Sequence, residues 1–246
     1  MPLEERSRNR RSYARSLDLP PPFRLVLLRE AGDAFRHATQ HAAELGAGTL
    51  VFVGRFDLAE FAVVLEPEQS LRQARFAFYA GMVALSDAVA AQAPPEKPMS
   101  ITWPDALHVD TGLVGGGRLG WPASCVEDAV PDWLVFGACL RTVWLGAEEA
   151  GLHPVATTLA EEGFGEIDAA TLTESFARHL MAVLDRWQEE GVAPVARDYL
   201  GKLERSAARG LDEDGNLLLP DGGRKPLTAA LATPSWLDPA SGELRA

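Results

Sequence analysis

Lysine, cysteine and long apolar runs are all scarce in this 246-residue chain, and each scarcity excludes something. Lys97, Lys202 and Lys225 are the whole supply of lysine, so any chemistry that needs an amine has three candidates. Cys125 and Cys139 are the two cysteines, with no C-x-x-C between them, which argues against a disulfide framework and a structural zinc site and predicts reduced thiols. No window approaches the roughly 20 apolar residues of a bilayer span, because Glu, Arg or Gly interrupts each candidate. Arg6, Arg8, Arg10, Arg11 and Arg15 are followed by Pro20-Pro21-Pro22 rather than by the apolar core of a secretory signal, so a cytoplasmic protein is expected. A net charge of −12 repels phosphate backbones at long range, which makes nucleic acid a poor partner.

What is present is an ordinary globular composition, 47% hydrophobic and 24% charged, enough for one large domain and a small appendage. Residues 1–22 are basic and then Pro-rich and predict a disordered arm. Phe23–Leu28 is a short extended run and Ala34–Leu45 a helix closed by Gly46 and Gly48. Thr49–Val53 and Ala59–Leu65 form a predicted hairpin around Gly54-Arg55-Phe56-Asp57-Leu58. Leu71, Ala74, Phe78, Met82, Leu85 and Val89 make the apolar stripe of a helix over 70–92. A second hairpin follows, Ile101–Val109 with a glycine-rich return strand Leu113–Leu119, and Trp133–Leu140 completes the sheet. Residues 146–170 read as loop, 172–190 as an amphipathic helix and 195–208 as helical. The predicted architecture is α+β: a mixed or antiparallel sheet backed by helices over 23–208, a small C-terminal β segment at 209–232, and a flexible tail at 233–246.

Several residues invite chemistry. Gly112–Arg118 puts bare backbone N–H groups beside Arg118, as an anion cradle requires, although it lacks the G-K-[S/T] of a P-loop and the helix that should follow; a bulged strand is the plain alternative. Pro104 cannot donate to a sheet ladder, so Trp103 and Asp105 belong at a sheet rim, where ligands often sit. His37 and His41 have the four-residue spacing of paired metal ligands, but Ala38 stands where a glutamate would and no metal is assigned. His108 and Asp110 alternate along a strand, a possible general-base pair or a polar hairpin face. Cys125, in a loop, is the candidate nucleophile, while Cys139 lies in an apolar strand.

Three strings, in order, resemble the biotin/lipoate A/B protein ligase family over roughly residues 25–220. Thr102-Trp-Pro-Asp-Ala-Leu-His-Val109 resembles its K-W-P-N-D-L segment. Leu113-Val-Gly-Gly116 stands in place of its K-L-A-G strand, ahead of Trp133–Gly137, and Gly210–Leu219 is similar to the start of its small β domain. The resemblance implies that fold, activation of biotin or lipoate by ATP and Mg as an acyl-adenylate, and transfer to a lysine of a biotinyl or lipoyl acceptor domain. It places the ligand at Arg55, Trp103, Asp105, Gly115, Gly116 and Arg118. The departures are equally specific. The family's G-R-G-R-R-G-R loop is reduced to Gly54-Arg55-Phe56-Asp57, its catalytic lysine aligns with Leu113, the lysine of K-W-P-N-D with Thr102, and its S-T-N motif with Ala31-Gly32-Asp33. Arg55 and Arg118 are the cations that could substitute, and Lys97 is the lysine nearest Trp103 in sequence. Three functions therefore stand open: a divergent ligase holding a biotinyl or lipoyl group, a non-catalytic relative binding a partner or small ligand, and an acyltransferase working through Cys125.

Overall fold

The computed structural model describes residues 17–30, 32–145, 155–165, 167–204 and 209–245. The first sixteen residues of the expected arm, the 146–154 part of the expected loop and the 205–208 end of the expected helical stretch lie outside these.

Seven strands form one mixed sheet: β1 (Arg24–Leu28), β2 (Thr49–Val53), β3 (Leu58–Leu65), β4 (Met99–Thr102), β5 (Ala106–Val109), β6 (Gly112–Gly120) and β7 (Leu134–Arg141), in the order β1-β2-β3-β7-β6-β5-β4. Only β1 and β2 run parallel, because helix α1 (Ala34–Leu45) carries the chain back between them. The late strand β7 does not close an edge. It inserts between β3 and β6 and is buried throughout, as its unbroken apolar run allows.

The two faces of the sheet are covered differently. On one lie α3 (Phe76–Ala90), preceded by the single turn α2 (Leu71–Ala74), with α4 (Ala169–Glu190) and α5 (Ala193–Lys202). Helix α3 is apolar on nearly every side because it is sandwiched between sheet and helices. Its Gly81 is required: a Cβ there would lie 2.3 Å from the ring of Phe136. On the other face α1 covers Val51, Val53, Ala62, Val64 and Val135 with Ala34, Ala38 and Ala42. Asp33 caps α1, its side chain accepting from Arg36 N at 2.8 Å.

A small antiparallel sheet, β8 (Gly210–Leu211), β9 (Leu217–Leu218) and β10 (Arg224–Lys225), turns at Asp212, whose carboxylate accepts from Asp214 N and Asn216 N. Helix α6 (Leu227–Leu231) follows and anchors through Leu227 and Leu231.

Two segments expected to be loose make packing contacts where the structure describes them. Leu17 belongs to the main core and Asp18 pairs with Arg178, so the described end of the 1–22 arm is packed. Across 233–245 the segment expected as a flexible tail is packed on the fold: Trp236 is fully buried and Leu237 bridges to Leu244. A tryptophan provides enough apolar area to hold a segment rich in Pro, Ser and Gly that composition alone predicts to be loose.

Candidate active site

Strand register assembles the site. On the α1 side of the sheet, Glu60, Cys139, Gly116 and Ala106 form one row across β3, β7, β6 and β5, and Ala62, Gly137 and Arg118 form the next. Helix α1 covers one part of this face and the 233–245 segment another, where Trp236 packs with Ala106, Leu113 and Cys139.

Charged side chains occupy the ground between these two covers. Glu60, 7% exposed, accepts from Ala34 N at 2.9 Å, and burial pushes its carboxyl above the ordinary range. Arg118 donates to Asp33 Oδ1 at 3.1 Å and lies 4.4 Å from the ring centroid of Phe35, while its buried Nε has no hydrogen-bond partner among the described residues. Arg55 makes a two-pronged pair with Asp57, Nε to Oδ1 at 2.8 Å and Nη2 to Oδ2 at 2.5 Å, which raises its pKa further and keeps it charged. Arg141 donates to the carbonyls of Leu244 and Arg245 at 3.2 and 3.1 Å.

The glycine strand is close-packed rather than hollow. Gly115 has φ +146°, and a Cβ on it would lie 2.0 Å from the carbonyl oxygen of Cys139. A Cβ on Gly116 would lie 2.0 Å from the Asp105 carbonyl oxygen and 2.4 Å from Cδ1 of Trp236. The missing side chains therefore admit neighbouring backbone and an indole, and the bulge sits where Leu107 and His108 meet β6.

The other sequence-derived residues divide. Trp103 and Asp105 flank the cis Trp103–Pro104 corner and leave it in opposite directions. Trp103 packs against the helical side and donates from Nε1 to Tyr79 Oη at 3.3 Å, and that hydroxyl donates to the Gly215 carbonyl at 2.5 Å. Asp105 is fully buried on the far side, accepting from Ser235 N and Oγ, and desolvation raises its pKa to about 6. Arg55, Asp105, Gly116 and Arg118 are thus brought to one face; Gly115 pairs with Leu140 and Leu107, whose side chains belong to the helical-side core, and Trp103 packs on that side too.

The rings of His37 and His41 lie 4.8 Å apart, tilted by 42°, and among the described residues no group of three or more His, Cys, Asp or Glu side chains is placed to hold a metal ion. Of the two alternatives left open for His108 and Asp110, the contacts are those of a polar hairpin face: His108 faces Thr102 Oγ1 and the Thr111 carbonyl, while Asp110 binds Lys97, which also binds Glu162. Cys125 Sγ contacts the carbonyls of Val126 and Ala129 at 3.6 and 3.7 Å. Buried Cys139 has its thiol pKa raised by desolvation, so it stays protonated.

Sequence reasoning missed Glu60, Arg141, Ser235 and Trp236. Glu60 carried a signal, a lone acid inside the apolar run Ala59–Leu65. The other three gain their places through contacts more than 100 residues distant in sequence, which no local pattern records.

A mixed seven-stranded sheet with its helices massed on one face and a small three-stranded sheet beside it is the catalytic-domain fold of the biotin protein ligases. The biotin/lipoate A/B protein ligase family model matches residues 19–201, and the chain belongs to that family. A biotin protein ligase-like protein of unknown function from Silicibacter sp. TM1040 is 31% identical, with a TM-score of 0.77 over 89% of this chain and 100% of that one. The biotin protein ligase of Aquifex aeolicus shares the fold at 18% identity, TM-score 0.64, over 82% and 95% of the two chains. That of Leishmania major in complex with biotinyl-5-AMP does so at 16% identity, TM-score 0.55, over 84% and 98%. Among curated proteins none matches the sequence.

Proposed function

We propose that this chain is a ligand-holding member of the family, which binds a biotinyl or lipoyl-type acyl group on the Glu60–Cys139–Gly116 face and does not form an adenylate. The observation that carries this reading is the state of the cations. Phosphoryl chemistry needs positive groups aimed at developing charge, and losing one such donor costs about 3 to 4 kcal/mol of transition-state stabilisation. Here Arg55 is committed to Asp57 and Arg118 to Asp33, and a four-residue turn, Gly54–Asp57, replaces the family's arginine-rich loop. Lys97 and Lys202 are paired with Asp110, Glu162 and Asp87, and Lys225 lies on the small sheet. The residues present do not fit ATP.

The solved relatives support the ligand class, since the Aquifex aeolicus enzyme is known with biotin and ATP. A biotinyl or lipoyl acceptor domain is then the natural source of the acyl group, held rather than made. A Cys125 acyltransferase is disfavoured because, among the described residues, its thiol meets main-chain carbonyls and no base.

The test is calorimetric titration with biotin, lipoate and octanoate, together with an ATP–pyrophosphate exchange assay. Binding of at least one acid without exchange is expected. Acid-dependent exchange above background would overturn the reading.

A further inference from the structure

The segment 233–245 lies on Asp105 and Gly116, two of the residues at which the family resemblance places the ligand and which the fold brings to one face. Ser235 takes both oxygens of Asp105, Trp236 sits over Gly116 and donates from Nε1 to the Gly117 carbonyl at 3.1 Å, and Arg141 holds the segment through two main-chain carbonyls. We propose that this segment is an internal occupant of the acyl site, and that ligand binds by displacing it. The inference rests on the reading of this face as the acyl site.

Its packing is suited to release. Trp236 belongs to a small cluster with Ala106, Leu113 and Cys139, separate from the two cores that hold the sheet to its helices. Opening that cluster leaves both main cores intact, so the segment can detach as a local unit at much less than the cost of unfolding. A pivot lies at hand: α6 is fixed to the main core by Leu227 and Leu231, and the chain leaves it through Thr233-Pro234 directly before Ser235. Beside the segment runs an open cavity of about 560 Å³ between the β5–β6 hairpin and Asp238 and Arg245, lined by Ser235 and by Ala106 and Leu113 of the Trp236 cluster, so a ligand can reach the segment at Ser235.

What the segment supplies defines what must replace it. Asp105 is a buried carboxylate satisfied by two donors, and Gly117 offers a buried carbonyl satisfied by a third. Leaving such groups unpaired is unfavourable, so a displacing ligand must present a flat apolar body of about indole size with N–H or O–H donors along one edge. The segment also lowers apparent affinity by the fraction of time the site is closed, so anything that loosens it strengthens binding.

The experiment uses the full chain and the intact variants Ser235→Ala and Trp236→Ala, titrated with biotin, lipoate and octanoate. Hydrogen exchange of the unaltered protein is followed with and without saturating acid. The expected result is affinity at least about tenfold tighter in Ser235→Ala, tighter again in Trp236→Ala, and faster exchange across 235–245 on ligand binding with 217–231 unchanged. Should Trp236→Ala fail to fold, Ser235→Ala and the exchange data decide alone. Equal affinities with unchanged or slowed exchange at 235–245 would overturn the displacement while leaving the acyl site standing. Failure of every acid to bind every form would overturn the site itself and the displacement with it.

Discussion

Ser235 and Asp105, 130 residues apart in sequence, meet in a two-point hydrogen bond, the Ser235 N–H reaching one carboxylate oxygen at 2.9 Å and its hydroxyl the other at 2.5 Å. The contact closes the sheet face that carries Glu60, Gly116 and Arg118. It also places a carboxylate where water cannot reach it, and that has a measurable consequence.

Burial raises Asp105 from 3.8 to about 6, so the folded protein holds this proton more tightly than the unfolded chain does. Its contribution to stability is therefore full below about pH 3.8, declines as pH rises, and is lost above about 6. The interval is worth about 3 kcal/mol at most, at about 1.36 kcal/mol per pH unit. Asp105→Asn removes this dependence while its amide oxygen retains a Ser235 bond. Urea unfolding at pH 4 and pH 7 should show the variant gaining on the unaltered protein by up to that amount; parallel curves would count against a buried, titrating Asp105.

Gly116 and Gly201 should respond to alanine in opposite senses. A Cβ at Gly116 meets the Asp105 carbonyl oxygen at 2.0 Å, a contact that backbone must move to relieve, so Gly116→Ala should cost about 3 kcal/mol or more. Gly201 lies in α5 with nothing within 4 Å of its would-be Cβ, and Gly201→Ala should stabilise by up to about 1 kcal/mol. Thermal melts of both proteins check the pair.

Arg118 ties the sheet to the N-terminus of α1 through Asp33 and stacks on Phe35. Arg118→Ala should cost about 1 to 2 kcal/mol and weaken acid binding. Arg118→Lys should not restore either, because an ammonium cannot reproduce the planar stack and the directed N–H together. Full recovery by lysine, in unfolding or titration, would reduce Arg118 to a point charge.

Cys125→Ser should change unfolding free energy by less than about 0.5 kcal/mol and leave acid binding unaltered. Its thiol lies against two main-chain carbonyls, with no base beside it among the described residues. A folded variant that no longer carries acyl groups would restore the transferase reading.

Among acid probes, one with ring N–H donors should bind more tightly than a plain chain. Gly117 and Asp105 present acceptors where Trp236 and Ser235 now donate, and an unpaired buried acceptor costs about 1 to 3 kcal/mol. Biotin, with its cyclic urea, should therefore exceed octanoate by about tenfold or more. Equal affinities would mean that the acyl tail alone is recognised.

Much of this architecture is legible in the linear chain because it is local. Apolar β-rich runs and the turn between them mark β2 and β3, apolar residues at three- and four-residue steps mark α3 and α4 as helices, and Asp214-Gly215-Asn216 marks the turn of the small sheet. The strings around Trp103, Gly115 and Gly210 identify the family for the same reason: each is a contiguous piece of backbone geometry. The tertiary structure alone decided which of those residues share a surface. The corner at Pro104 sends Trp103 toward the helices and Asp105 toward Ser235, strand order brings β7 between β3 and β6 so that Glu60 meets the Cys139–Gly116 row, and Trp236 returns to fill the space the glycines leave. Pairings across such separations depend on the closure of the whole sheet and on the burial of one aromatic ring, and neither leaves a periodic trace in sequence.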